Sequence, residues 1–333
     1  MKILVTGGTG FLGKASCLHL HQLGHQVTAL GRRLNVGERL QQKNIAFVQA
    51  DLLNTKAYDS AFSNQDAVVH CAALSSVWGS YQQFYNANVQ ATQNVIDLCL
   101  AHDVKRLIYI SSPSIYFSLQ HREKIRENEP LPPKPVNHYS ATKRLAEHAV
   151  DAVAGQMEVI TLRPQALFGP EDPAIVPRLI RANTLRGIPY FNGGKTKIDI
   201  TYVENAAHAI SLALQAPRTC SGCKYNITND DPIELGVFLQ KLFDQLNITF
   251  NKKKIPYPVA RIAASLLETF HRIFLPEKEP VITRYSLGVL AKTRTLDISA
   301  ARQDLGYDPL VSVEEGLKSY VEWYLMQASK ETV

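Results

Sequence analysis

Short apolar runs alternate with amphipathic stretches through the first half of the chain. "KILVTGG" comes first, and "HQVTALG", "AFVQAD", "DAVVHCAA", "KRLIYISS" and "EVITLRP" repeat the form. Apolar runs without polar alternation predict strands buried on both faces. Helical spacing fills the intervals, beginning with Phe11 to Leu23 and closed by Gly24. Strand alternating with helix predicts an α/β chain built on a Rossmann-type, doubly wound parallel sheet. Beyond Pro170 the pattern loosens into the proline- and glycine-broken "PEDPAIVPRLIRANTLRGIPYFNGG". "ITYVENAAHAISLALQ" then returns to a strand and a helix, and from Ile233 the chain reads as mainly helical. Near the end, Ser312 and Glu315 have the spacing of a capping box. These patterns predict a sheet domain over 1–170, rejoined by 198–215, and a smaller, mostly helical lobe from 171–197 and 216–333.

One helical stretch, 257–275, carries a continuous apolar stripe. Val259, Ile262, Ala263, Leu266, Leu267, Phe270, Ile273 and Phe274 share one face, with Arg261, Glu268 and Arg272 away from it. Three placements are open: packing into the core, walling an apolar pocket, or lying on a membrane surface.

The first strand ends in a glycine turn that opens a helix, with Gly7, Gly10 and Gly13 at GxxGxxG spacing. Gly7 permits the sharp turn, Gly10 lets the backbone approach a diphosphate, and Gly13 lets the helix pack on the sheet. Thr9, Phe11 and Leu12 lie within the same turn and are expected cofactor contacts. A carboxylate commonly ends the second strand to hold a ribose 2′-hydroxyl. Here Gly31, Arg32 and Arg33 stand there instead, and two guanidinium groups suit a 2′-phosphate. The expected cofactor is therefore NADP, with NAD also possible. Asp51, followed by Leu52, is placed to accept from the adenine amino group or to cap a helix.

Composition narrows the partners. The 333 residues are 45% hydrophobic and 20% charged, an ordinary globular balance. The net charge of +6 comes from scattered basic residues without interleaved aromatics, which argues against nucleic acid and fits an anionic ligand. No apolar run reaches membrane-spanning length, and "MKILVTGGTG" lacks the regions of a signal peptide. Five cysteines, an odd count, suggest a reducing, cytoplasmic setting. Cys220 and Cys223 form a lone CxxC, read as two thiols in a surface loop, and no metal site is expected.

"ISSPSIY" ends a predicted strand where ligands bind in such sheets, and "HYSATKRLAE" follows on a predicted helix. Hydride transfer to a carbonyl needs a hydrogen-bond donor for the developing oxyanion and a proton source. Ser112 can supply the first and Tyr139 the second. Lys143, one turn on, would favour the phenolate electrostatically and could also bind the nicotinamide ribose.

Together these segments resemble the extended short-chain dehydrogenase/reductase family. "TGGTGFLG", "ADL", "HCAA", "NVQAT", "SSPSIY", "YSATK", "LRPQALFGP" and "ITYVENAAHA" occur in that family's order over nearly the whole chain. The resemblance implies catalytic roles for Ser112, Tyr139 and Lys143. It places Asn88 on the family's central-helix asparagine, with Ala91 where a glycine is usual. It also implies Ala72 and Ala73 under the adenosine ribose, and Pro164 and Ala166 as the nicotinamide floor.

Sugar-nucleotide dehydratases of the family carry Asp-Glu after the serine; Pro113 and Ser114 stand here and cannot do acid–base work. The C-terminal part resembles the branch holding 3β-hydroxysteroid dehydrogenases and 2-alkyl-3-oxoalkanoate reductases. The expectation is an oxidoreductase acting on a 3-oxo or 3-hydroxy group of a lipid-like or steroid-like substrate. A nucleotide-sugar epimerase with tightly held NAD is the alternative, with Arg178, Arg181 or Lys195 as diphosphate ligands. A non-catalytic cofactor-binding protein is a further one. The family also implies pairing through the helix that bears Tyr139 and Lys143, hence a possible homodimer.

Overall fold

The computed structural model describes residues 1–331, with side chains placed up to 329. Seven parallel strands form the main sheet: β1 (Lys2–Thr6), β2 (Gln26–Gly31), β3 (Ala46–Gln49), β4 (Ala67–His70), β5 (Arg106–Ile110), β6 (Glu158–Pro164) and β7 (Lys224–Ile227). Their spatial order is β7-β6-β5-β4-β1-β2-β3, so the winding direction reverses between β1 and β4. The apolar runs are buried as their composition requires: Ile3, Leu4, Val5, Val68, Val69, Leu107 and Ile108 are all sealed from solvent. One core gathers Ile3, Val5, Ile108 and Ile160 with the helices on one face. The other gathers Leu4, Val68, Leu107 and Val159 with the helices opposite.

β7 was not anticipated. "KYNI" sits inside the stretch assigned to the lobe, yet it pairs with β6 from Thr161 to Pro164 and extends the main sheet. Four residues with a central Asn give little periodicity, so only the pairing reveals the strand. A second correction lies at Arg122–Ile125. This segment leaves the sheet domain and pairs with Arg294–Leu296 in a four-stranded sheet of the lobe. The helix Val203–Gln215 packs Ala206, Ala209 and Ile210 into the core on one face of the main sheet. The short strand before it, Thr201–Tyr202, instead pairs with Leu167–Phe168.

The lobe has its own core of Phe168, Phe238, Leu239, Leu242, Phe243, Leu317 and Tyr320. Its last helix begins with the expected capping box: Ser312 N–H donates to Glu315 Oε2 at 2.9 Å, and Glu315 N–H to Ser312 Oγ at 3.2 Å. Cys220 proves to be buried rather than at the surface, and Cys223 half-buried; all five cysteines are free.

The helix Tyr257–Phe274 departs furthest from core packing, one of its three open placements. Ala260, Ala264 and Glu268 face inward, against Phe191, Leu287 and Ala291. The apolar stripe faces out, with Leu266 at 67% and Ile273 and Phe274 at 65% exposure. Glu268 is drawn inward by Arg284, which gives it a backbone N–H at 2.6 Å and a guanidinium N–H at 2.8 Å.

Candidate active site

The glycine turn lies at the reversal point of the sheet, where open α/β sheets bind ligands. Gly7 has φ +70°, and a Cβ there would meet Ala72 N at 2.6 Å, so the turn is pressed onto the segment leaving β4. A Cβ on Gly13 would meet Gly7 O at 2.1 Å, so only glycine lets the helix Phe11–Gln22 start this close to β1. Gly10 is the N-cap and no side chain caps the helix. The first N–H groups of that helix therefore face outward without a side-chain acceptor, which fits a dinucleotide diphosphate.

At the end of β2, a Cβ on Gly31 would meet Thr9 Oγ1 at 2.3 Å. Buried Thr9 thus takes the space that a ribose-binding carboxylate at 31 would need. Arg32 and Arg33 are exposed, and Arg32 stands 3.6 Å from Asp51. Asp51 also accepts the Leu53 N–H at 3.0 Å, an Asx-type turn rather than a helix cap. The Leu52 side chain is buried while its carbonyl takes bonds from Tyr58 and Asn94, which hold this loop against the sheet.

Asn88 is buried in a π-helical turn, Tyr85–Gln90, interrupting the central helix. Such widened turns recur at functional sites. Its Oδ1 accepts the Leu74 N–H at 2.7 Å and its Nδ2 donates to Thr142 Oγ1 at 3.0 Å. One side chain therefore ties the loop beyond Ala72 and Ala73 to the helix His138–Asp151. That helix carries Tyr139 and Lys143 and starts with a capping box, Asn137 Oδ1 accepting the Ser140 N–H at 2.9 Å.

Ser112 lies two residues beyond the end of β5 and caps a short turn, its Oγ accepting the Ser114 N–H at 3.2 Å. It also acts on the Tyr139 phenol, favouring its ionised form, so the two hydroxyls expected to work together are neighbours. Burial pushes the Tyr139 phenol up to about 12, with Ser112 opposing the shift and Tyr285 adding to it. Lys143 is turned elsewhere. Its ammonium donates to Ile110 O at 2.7 Å and lies 4.3 Å from the centre of the Tyr109 ring. Burial drives the Lys143 pKa down to about 7, against the carboxylate of Glu147, which raises it. Pro164 ends β6, and Ala166 adopts a left-handed φ of +46° just beyond it, a strained position for a side-chain residue.

Some participants escaped the sequence reading. Glu147 and Arg163 form a buried bidentate pair, 2.9 and 2.6 Å, joining the Tyr139 helix to β6. Arg163 also donates to the Tyr116 hydroxyl, which bonds Asn226 of β7 at 3.1 Å. Glu147 had a visible signal, since it follows Lys143 by the interval that separates Tyr139 from Lys143. His70 was hidden within an apolar strand; it is sealed between the hydroxyls of Thr6 at 2.6 Å and Thr92 at 3.0 Å.

A cavity of about 230 Å³ opens beside this group. Val77, Trp78, Phe84 and Tyr285 share its wall with Ser80, Asn137, His138 and Thr283, and Glu268, Arg272 and Pro276 close it from the lobe. Phe84 stands 6.4 Å from the Tyr139 ring, and Tyr285 packs 4.8 Å from Phe117, centre to centre. Arg178, Arg181 and Lys195 do not line it. Arg178 is instead paired with Glu279 at 3.0 Å.

A family model described as "NAD dependent epimerase/dehydratase family" matches residues 3–228. The chain belongs to this family. Among curated members, the 2-alkyl-3-oxoalkanoate reductase of Shewanella oneidensis is 34% identical, over 94% of this chain and 84% of that protein. The 3beta-hydroxysteroid-dehydrogenase/decarboxylase isoform 1 of Arabidopsis thaliana is 34% identical, over 96% of this chain and 78% of that one. Among solved structures, the UDP-glucuronic acid 4-epimerase of Bacillus cereus superposes with a TM-score of 0.78, at 22% identity over 98% of this chain and 99% of that chain. That likeness fixes the fold. Like these members of the family the chain is an enzyme, and with its named relatives it stands among the NAD(P)-dependent oxidoreductases.

Proposed function

We propose that the enzyme transfers a hydride between NADP(H) and the 3-oxo or 3-hydroxy carbon of a lipid-like or steroid-like substrate. The observation that carries this reading is the Ser112–Tyr139 hydroxyl pair, near a cavity where apolar Val77, Trp78, Phe84 and Tyr285 mix with polar Asn137, His138, Glu268 and Arg272. Relatives named for 3-oxoalkanoate reduction and 3β-hydroxysteroid dehydrogenation support it.

Gly7, Thr9, Gly10, Phe11, Leu12 and Gly13 would hold the diphosphate, Ala72 and Ala73 the adenosine ribose, and Pro164 and Ala166 the nicotinamide face. Bound there, the nicotinamide supplies or accepts the hydride. Ser112 steadies the substrate oxygen with a hydrogen bond. Tyr139, held protonated at neutral pH by burial, gives its proton to that oxygen as the alkoxide develops. Lys143, fixed by Ile110 O, sets a buried donor one turn from the phenol. Arg32 and Arg33, with Gly31 unable to carry a carboxylate beside Thr9, support NADP over NAD.

Purified enzyme is to be incubated with NADPH and a panel of 3-oxo lipids, following cofactor absorbance. Reduction of a 3-oxo lipid is the expected result. Interconversion of a UDP-sugar with no ketone reduced would sink the reading and favour an epimerase. In the same assay Arg32→Ala should raise KM for NADPH about tenfold or more while leaving that for NADH nearly unchanged.

A further inference from the structure

Among the described residues, none covers the outward face of the helix Tyr257–Phe274, whose large apolar side chains are exposed. Ile262 and Val259 are 61% and 58% exposed and Phe270 50%, continuing the row set by Leu266, Ile273 and Phe274. Isolated exposed apolar residues are ordinary, but a contiguous row of this length marks a contact surface.

Charge around the row selects the occupant. Arg261 is exposed on the helix flank, beside the apolar arc, whereas Arg272 on the same flank turns over the Trp78 ring towards the cavity. Exposed Lys253 and Lys254 precede the helix and Lys278 follows it, while Lys252 is engaged with Gln240 and the Phe250 ring. Of the nearby carboxylates, Glu268 is buried against Arg284 and Glu279 is paired with Arg178, leaving Glu277 exposed. Two copies meeting through this face would bring basic rims together, at a cost in repulsion. An anionic lipid surface instead takes the apolar row among its acyl chains and the long basic side chains at its headgroups.

We propose that this helix docks the enzyme on anionic lipid surfaces. Contact is peripheral, because among the described residues no helix is long and apolar enough to cross a membrane. The same helix carries Glu268 and Arg272 in the wall of the cavity near Tyr139, and Trp78 anchors its end by donating to Pro276 O at 2.8 Å. Docked face and cavity thus share one element, which suits a substrate dissolved in lipid. The docking stands on the face itself; its link to turnover rests on the lipid-substrate reading proposed above.

The test is flotation of the full chain, without substrate or cofactor, with vesicles of phosphatidylcholine plus phosphatidylglycerol and with phosphatidylcholine alone. The chain should float with the anionic vesicles, more weakly with neutral ones, and less as salt rises. L266E/F270E should weaken partition at least about tenfold, and R261A about fivefold. Thermal melts should match the wild type for both variants, since these side chains point away from the core. Three results would overturn the proposal: wild type ignoring anionic vesicles, L266E/F270E floating undiminished, or sedimentation showing self-association through this face with no vesicle binding. NADPH-dependent reduction of a short, water-soluble 3-ketone should be the same in L266E/F270E as in wild type. Failure of ketone reduction and failure of docking are therefore separately visible.

Discussion

At the residue scale, the site is governed by how burial treats each ionisable group. Tyr139 is pushed up to about 12 and so begins as a proton donor. Tyr139→Phe should cut turnover by about a hundredfold or more while cofactor affinity, read by fluorescence titration, stays near wild type. Lys143 carries the opposite shift, from 10.5 down to about 7. Between those values the unfolded chain holds a proton on this lysine that the folded chain has released, so unfolding takes up protons there. Stability of the ligand-free enzyme should therefore rise from pH 7 towards pH 10 on account of this group. Lys143→Met should flatten that rise, which thermal melts at pH 7 and pH 9 would show; an equal slope in both proteins would refute it. The pairing of Tyr139 with Ser112 was legible because both stand at the ends of patterned segments. The direction of the Lys143 ammonium was not, since it depends on Ile110 O and the Tyr109 face, contacts made across elements.

At the scale of elements, the Tyr139 helix is positioned from two sides. Asn88 ties it through Thr142 to the loop after β4, and Glu147 ties it through Arg163 to β6. Arg163→Ala would leave the Glu147 carboxylate buried and unpaired, costing about 3 kcal/mol or more. A fall of several degrees in Tm is expected, with a larger fall in activity than in cofactor binding because the helix is no longer held at β6. Strand and helix periodicity found most of the main sheet because those segments are buried on both faces or on one. It missed β7, whose four residues carry no usable period, and it could not orient the helix Tyr257–Phe274. An amphipathic pattern states that two faces differ, not which one meets solvent. Small Ala260 and Ala264 permit close packing on Phe191 and Leu287, so the large apolar side chains are left outside.

Across the whole molecule, the order of motifs along the chain was enough for the fold, whereas the division into domains was blurred by exchanges between them. Residues 122–125 cross into the lobe and residues 224–227 cross back. Both exchanges depend on partners distant in sequence, Arg294–Leu296 and Glu158–Pro164, which local patterns do not encode. The cavity draws on distant segments, since its wall combines residues 77–84 after β4, residues 136–138 at the start of the Tyr139 helix, and residues 268–285 of the lobe.

The pairing of Arg122–Ile125 with Arg294–Leu296 has a consequence for how the enzyme is made. As the chain leaves the ribosome, the loop behind Ser112 stays without its strand partner until nearly all of the sequence has emerged. Contacts of such long sequence separation form late. A fragment ending at residue 170 would expose β6 as an open edge and leave that loop unpaired, so it should aggregate on expression or melt without a cooperative transition. Maturation of the Ser112 turn is thus postponed to the last stage of synthesis, when Arg294–Leu296 pairs with the strand behind it.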